Sequence, residues 1–269
     1  MRPVARPPWN PSRAGLHAGD AVSAVFGEYC SACEIPLLAW RTGWNASTGE
    51  VVPGRARAAD WDDLLVLCWH CARAAAGQAP GGSPLLPDRD ATFAIGPGAP
   101  FRYEPRAVEV AGTDGGEPDV TERVFVVPNG AAAADTVRLF GLNTAQQGDE
   151  PPLTELDDPR LMLRTAAWEH ARHAAVLYRR LTGTTARNGW AELLALAVSS
   201  RGFWSVWAAV LAGEVDDLPL LAAALGLPPG SAGQEAAGRR PAAVAVAVRD
   251  FPATRAVSLT PPSDTTEQG

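Results

Sequence analysis

The chain has 269 residues and a hydrophobic fraction of 46%, which is ordinary for a globular protein and excludes disorder along its whole length. Its formal net charge is −7, which argues against a general binder of nucleic acid because neutralising phosphates requires a basic surface. Residues 1–15 lack the apolar core of a signal peptide, and no apolar run is long enough to span a bilayer. We therefore expect a cytoplasmic protein that does not enter a membrane.

Residues 1–20 are rich in Pro and Arg and predict an N-terminal arm. The next segment, 21–90, contains all four cysteines as two Cys-x-x-Cys pairs, Cys30/Cys33 and Cys68/Cys71, which are separated by 34 residues. A two-residue gap lets both thiolates of a pair bind one ion, and two pairs complete the closed tetrahedral shell of structural zinc. Close pairs in a chain without an export signal favour metal over disulfides. The sequence therefore predicts one Zn²⁺ ion bound by these four cysteines.

Residues 91–130 predict a small β region. Short β-prone segments at 92–95, 101–103, 107–110 and 123–127 are separated by turn residues, a pattern typical of a small antiparallel sheet.

Residues 131–250 are mostly helical in pattern. A short helix at 132–140 should end before Gly141. Asp158 and Pro159 predict an N-cap followed by proline at the first helical position, starting a helix that runs to about Leu181. Further helices are expected at 187–199, 202–212 and 217–225, a strand or helix at 242–249, and a disordered tail at 251–269. The long helix should turn one stripe toward the core, namely Leu161, Trp168, Ala171, Ala175, Tyr178 and Leu181.

These elements predict an α+β protein with a zinc-bound finger, a small antiparallel sheet and a mostly helical C-terminal half. The nine tryptophans include Trp40 and Trp44 beside the finger and Trp190, Trp204 and Trp207 on helix faces. We expect them to pack in the core, because no basic residues are interleaved with them as in a base-stacking surface.

The two cysteine pairs carry a resemblance to a known family. The stretches Tyr-Cys-Ser-Ala-Cys-Glu-Ile-Pro-Leu at 29–37 and Trp-Asp-Asp-Leu-Leu-Val-Leu-Cys-Trp-His-Cys at 61–71 resemble the two zinc knuckles of HNH nucleases from retron-associated and Septu-type anti-phage systems. Weaker matches at 84–87, 127–129 and 135–143 follow in the expected order, so the resemblance covers about residues 21–182. It implies a treble-clef (ββα) finger, a role in bacterial antiviral defence and an ATPase or other protein subunit as partner.

The residues on which the family's chemistry depends are replaced in this chain. The family places its general-base His three residues before a Pro; here Pro53 marks that place and Glu50 holds the position of the base. Asp63 stands where the family has an Asn. Glu50 and Asp63 could form an acidic site for Mg²⁺ or Mn²⁺, or the site could be catalytically reduced. Because an ordinary carboxylate is a weaker base than imidazole near neutral pH, ordinary HNH endonuclease activity is not expected.

Other polar groups leave further hypotheses open. His70 lies between the last two cysteines and could replace a ligand, act in catalysis or lie on the knuckle surface. On the long helix, Glu169, His170 and His173 are spaced to share a face, which fits a metal or acid–base site as well as a solvated surface. The alternatives to a defence subunit are therefore a small-molecule enzyme that uses some of these groups and a purely structural zinc scaffold. Whether the chain binds nucleic acid stays open.

Overall fold

A computed structural model describes residues 6–37, 42–52, 54–76, 78, 81–86, 98–110, 119–143 and 159–225. The fold is α+β, with small antiparallel sheets and several helices, as predicted. The expected strand at 92–95, Asp158, the element at 242–249 and the tail at 251–269 lie outside the described residues. None of the described helices combines the length and apolar character needed to cross a bilayer.

The first half contains a small three-stranded sheet. Helix α1 (Ala18–Phe26) precedes strands β1 (Thr42–Asn45), β2 (Glu50–Val51) and β3 (Leu64–Leu67), which are antiparallel in the order β2-β1-β3. Helix α2 (Trp69–Ala75) follows β3 directly. All four residues of β3 are buried, because the strand is covered on both faces, and this explains its uninterrupted apolar sequence.

The N-terminal residues lie against this sheet. The indole of Trp61 donates to the carbonyl of Pro7 at 2.9 Å and meets Trp9 edge to face. Arg6 donates to the carbonyls of Trp61 and Leu64. The bond to Leu64 occupies a backbone acceptor at the start of β3, a strand at the edge of its sheet, where an unpaired carbonyl would otherwise be exposed.

A long hairpin follows. Strands β4 (Phe101–Val110) and β5 (Asp119–Pro128) pair along their whole length, so the separate strands expected at 101–103 and 107–110 are one. Pro105 lies within β4 opposite Val124. The amide of Val124 points away from β4 and donates to Thr165, so this pair exchanges no ladder bonds and the missing amide of proline costs none.

The C-terminal half is helical. Helices α3 (Ala131–Leu139), α4 (Arg160–Arg180), α5 (Thr184–Arg201), α6 (Trp204–Leu211) and α7 (Leu218–Ala224) agree with the predicted helices to within three residues at each end. Helix α3 ends close to the expected Gly141, whose φ is +53°. Helix α4 begins one residue later than expected, so Pro159 lies at the N-cap.

The buried stripe of α4 differs from the predicted one. Leu161, Trp168 and Leu181 are only partly buried, and two arginines occupy the core-facing positions of the first two turns. The helix packs against α6 and β5. Its buried residues are Arg160, Arg164, Ala167, Ala171, Ala175 and Tyr178.

The approach of α1 to β1 leaves no room for a side chain at Gly43. A Cβ atom there would lie 2.9 Å from the Cβ of Ala18 and 3.3 Å from the backbone nitrogen of Gly19. We therefore predict that Gly43→Ala lowers the free energy of unfolding by about 1–3 kcal/mol, the usual cost of overpacking. Urea denaturation followed by tryptophan fluorescence measures it.

Gly189 provides the matched control, since it lies within α5 with open space around its Cα. Gly189→Ala should stabilise the protein by about 0.5–1 kcal/mol through helix propensity. Equal effects of the two substitutions would contradict the close packing of α1 on β1.

Candidate metal centre

The four cysteine side chains converge. Their sulfur atoms all lie within 4.8 Å of one another, and those of Cys33 and Cys68 are 3.7 Å apart. Four sulfurs bound at about 2.3 Å to a tetrahedral ion would lie about 3.8 Å apart, so the cluster has the dimensions of a metal–thiolate centre. All four residues are buried and none forms a disulfide. The cluster could therefore hold a metal ion such as zinc.

Backbone hydrogen bonds fix the first pair. The amide of Glu34 donates to the carbonyl of Cys30 at 3.0 Å, and the amide of Cys30 donates to the carbonyl of Ile35 at 2.9 Å. The amide of Ser31 donates to the carbonyl of Val66 at 2.8 Å. The knuckle is thereby closed on itself and bound to β3.

The second pair is placed by the junction of β3 and α2. Cys68 is the N-cap of α2, and its sulfur accepts a hydrogen bond from the amide of Cys71 at 3.5 Å. Cys71 is in the first turn, so the two-residue gap brings both sulfurs to the same end of the helix.

The closeness of the thiols changes the pKa values of three of the cysteines. Burial, followed by hydrogen bonding with Cys30, raises the pKa of Cys33 well above its usual value. Hydrogen bonding with Cys30 likewise raises the pKa of Cys68. Although burial opposes it, the hydrogen bonds that Cys30 receives from the other three cysteines hold its pKa low. A bound cation would supply the charge that lets all four act as thiolates.

Arg160 reaches the cluster from α4. This side chain is buried, and its Nη1 atom lies 3.3 Å from the sulfur of Cys71 and 2.9 Å from the carbonyl oxygen of Phe140. A guanidinium has only donors, so the sulfur accepts this bond. The second cysteine pair is therefore in direct contact with a positive charge from the helical half.

Arg164 lies one turn further along α4 and is also buried. It donates to the carbonyls of Leu142 at 2.8 Å and Val124 at 3.2 Å. Burial lowers the pKa of its guanidinium, while nearby Tyr103 and Cys33 favour the charged form. Arg164 thereby links α4 to β5 and to Leu142, on the same side of the helix as Arg160.

Glu34 connects the first knuckle to the turn between α5 and α6. Its carboxylate is buried and accepts hydrogen bonds from the amide and hydroxyl of Ser205, and its carbonyl accepts from the amide of Phe203. Glu34 and Phe203 are the two non-glycine residues with positive φ in the described part of the chain, at +65° and +57°. A Cβ at Gly202 would lie 2.2 Å from the Glu34 carbonyl oxygen, so only glycine fits at this junction.

A small cavity adjoins this junction. Its volume is about 10 Å³, room for about one water molecule, and it is too small for a metabolite. Burial, followed by the nearby Glu34 carboxylate, raises the pKa of Tyr103 above its usual range, so the phenol stays protonated at neutral pH. The residues that line the cavity include Cys33, Glu34, Tyr103 and Arg164.

The acidic candidates lie elsewhere. Glu50 is exposed at the start of β2, and Asp63 is partly buried at the end of a 3₁₀ helix, Ala58–Asp63. Asn45 of β1 pairs with Glu50 on one side and with Leu64 on the other. Two strand spacings of about 4.8 Å, together about 10 Å, therefore separate the backbone of Glu50 from that of Leu64, next to Asp63.

The histidine candidates are at the surface or partly buried. His70 lies in the first turn of α2 and is partly buried. On α4, His173 is exposed, and partial burial followed by the charge of Arg201 lowers the pKa of His170. The carboxylate Oε1 of Glu169 lies 3.7 Å from Nη1 of Arg172. Within the described ranges, the four cysteines form the one group of three or more His, Cys, Asp or Glu residues that could hold a metal ion.

Four of the five tryptophans named in the sequence analysis pack in the core as expected, whereas Trp69 is 59% exposed. Trp44, Trp190, Trp204 and Trp207 are all at most 8% exposed, which confirms the prediction for these four. Trp40 lies outside the described residues.

No protein-family model, no curated protein and no solved structure matches this chain.

Sequence reasoning found the cysteines but missed their polar surroundings. The predicted core stripe of α4 left out Arg160 and Arg164, because the acceptors that justify their burial lie 20 to 89 residues away in the chain. Glu34 follows Cys33 directly, yet its partner Ser205 is 171 residues distant. The one local signal was the spacing of four between the two arginines, which places them on one helix face.

The Glu34–Ser205 contact can be tested by mutation. Ser205→Ala removes the hydroxyl donor of a buried carboxylate, and we predict a loss of about 1–3 kcal/mol in the free energy of unfolding. Ser200→Ala is the control, because Ser200 is exposed and its hydroxyl donates to the carbonyl of Ala197 in the same helix at 2.9 Å. Its effect should stay within about 0.5 kcal/mol. A Ser205→Ala protein as stable as this control would contradict the role of the junction.

Proposed function

We propose that this chain is a zinc-stabilised protein with an HNH-like, treble-clef finger, and that it acts as a catalytically reduced subunit rather than as an ordinary HNH endonuclease. The observation that carries the proposal is the closed, buried cluster of four cysteines, in which the sulfur of Cys71 is in contact with Arg160. A metal bound there has no open coordination position for a substrate, which is the arrangement of structural rather than catalytic zinc.

The choice of zinc rests on the donor set. Four thiolates at tetrahedral spacing favour zinc or an iron–sulfur cluster over hard cations such as Mg²⁺. A single ion fits a cluster whose sulfurs all lie within 4.8 Å of one another. Zn²⁺ would supply charge and cross-linking here, and the residues that would hold it are Cys30, Cys33, Cys68 and Cys71.

The order of elements supports the treble-clef part of the proposal. A knuckle with the first cysteine pair precedes the β1–β2 hairpin, and the second pair lies at the start of α2. This is the arrangement that the resemblance to HNH nucleases implies. The defence-type setting and an ATPase or other subunit as partner are carried by that resemblance alone.

The reduced catalytic role is supported by the positions of the acidic residues. A divalent cation that bridges two carboxylates requires oxygens within about 2.0–2.6 Å of the ion. Glu50 and Asp63 approach β1 from opposite sides, and Glu50 is exposed. The exposed Glu50 at a strand edge offers no enclosure that would shield a catalytic base from water.

The metal prediction concerns stoichiometry and stability. The purified chain should contain about one zinc ion, and Cys33→Ser or Cys68→Ser should lose most of it together with the cooperative unfolding transition, because structural zinc contributes about 10–16 kcal/mol of binding free energy to folding. Plasma emission spectrometry and thermal denaturation measure the two effects. Ser31→Ala, which keeps the backbone bond to Val66, is the control and should retain the metal. Absence of metal from the wild-type protein would refute the proposal.

The catalytic prediction concerns nuclease activity. Supercoiled plasmid incubated with the protein and Mg²⁺ or Mn²⁺ should stay intact, and Glu50→Ala and Asp63→Ala should behave like the wild type. Agarose gel electrophoresis detects nicking directly. Metal-dependent nicking by the wild type that disappears in Asp63→Ala would instead establish an active acidic site.

A further inference from the structure

The first two turns of α4 place arginines where a packed helix normally carries apolar side chains. Arg160 is 3% exposed, and its Nη1 atom is shared between the Cys71 sulfur at 3.3 Å and the Phe140 carbonyl at 2.9 Å. A hydrogen bond from a guanidinium to a sulfur is stronger when the sulfur carries a negative charge, as a metal-bound thiolate does.

The formal charge of an occupied centre follows from its ligands and its ion. Four thiolates and one divalent cation leave a formal excess of two negative charges on the centre. In a buried site with a low effective dielectric, such an excess is itself unfavourable. Arg160 is in contact with one sulfur, and Arg164 lines the same small cavity as Cys33. The two guanidinium groups therefore place positive charge on the α4 side of the cluster, where it would offset the negative charge of an occupied centre.

The contact between Arg160 and Cys71 is a directional hydrogen bond as well as a charge interaction. The guanidinium N–H points at the sulfur of Cys71, the ligand in the first turn of α2. Hydrogen bonds to metal-bound groups orient the ligand and tune its electron donation, and their loss typically costs 10- to 100-fold in metal affinity. Because the donor comes from α4, metal binding in the finger is linked to the packing of the helical half.

We propose that Arg160 is a positioning residue of the metal centre, which balances the charge of the ion-bound thiolates and makes retention of the ion depend on the packing of α4 against the finger. This inference rests on the proposed zinc site. Arg164 acts in the same direction at longer range, while its hydrogen bonds go to Leu142 and Val124.

Cobalt substitution tests the inference in the full chain. Co²⁺ in a four-thiolate site gives d–d bands in the visible range and sulfur-to-metal charge-transfer bands in the near ultraviolet, both independent of any enzymatic activity. Three variants are compared with wild type. Arg160→Lys keeps the charge, Arg160→Gln keeps an N–H donor without the charge, and Arg160→Met removes both. Arg172→Gln is the control, because Arg172 lies on the same helix and is exposed.

The expected result is a ranking. Competition with a chelator should show Co²⁺ and Zn²⁺ affinity falling about 10- to 100-fold in Arg160→Met, nearly as much in Arg160→Gln, and least in Arg160→Lys. The charge-transfer bands should shift to lower energy in the Met variant, since the Cys71 sulfur loses its hydrogen bond. The Arg172→Gln control should match wild type in both readouts.

Other outcomes overturn the inference. A Gln variant that binds metal as tightly as wild type, or more tightly than the Lys variant, would contradict charge balance. If the Met variant does not fold, the ranking of Lys and Gln decides; if none of the three folds with metal present, the role of Arg160 is structural and the inference is wrong. Failure of the wild type to give a four-thiolate cobalt spectrum would defeat the zinc proposal itself, which separates the two claims.

Discussion

The convergence of four buried sulfurs is the constraint on which the structure depends. The cluster brings a knuckle before the three-stranded sheet together with the start of the helix after it, so the two segments that flank the sheet meet at one place. Burying four thiolates without a cation would be strongly unfavourable. Arg160, at the start of α4, lies against the cluster, where its positive charge would meet the charge of the thiolates.

The two halves of the chain meet at polar contacts beside this centre. Glu34, directly after the second cysteine, accepts hydrogen bonds from Ser205 and Phe203 at the start of α6. On the other pair, Arg160 reaches Cys71 from α4. Buried polar contacts are directional, so they define one relative arrangement of packed elements where apolar contacts alone would tolerate several.

The sequence predicted what is encoded locally. The Cys-x-x-Cys spacing identified the cluster, and helix signals such as Gly141 placed the helices to within a few residues. It misplaced the buried stripe of α4, because an arginine reads as solvated unless its distant acceptors are known. It also divided β4 at Pro105, whose tolerance depends on the outward-facing amide of Val124. Long-range partners, absent from any local window, account for both differences.

The coordination of the bound metal tests the account most directly. X-ray absorption at the zinc K-edge of the purified, unmutated protein reports the identity and distance of the atoms bound to the ion. The account predicts a single shell of about four sulfurs at about 2.3 Å, with no nitrogen or oxygen ligand. A shell that mixes sulfur with nitrogen or oxygen, as an imidazole or water ligand would produce, would contradict the closed four-cysteine centre.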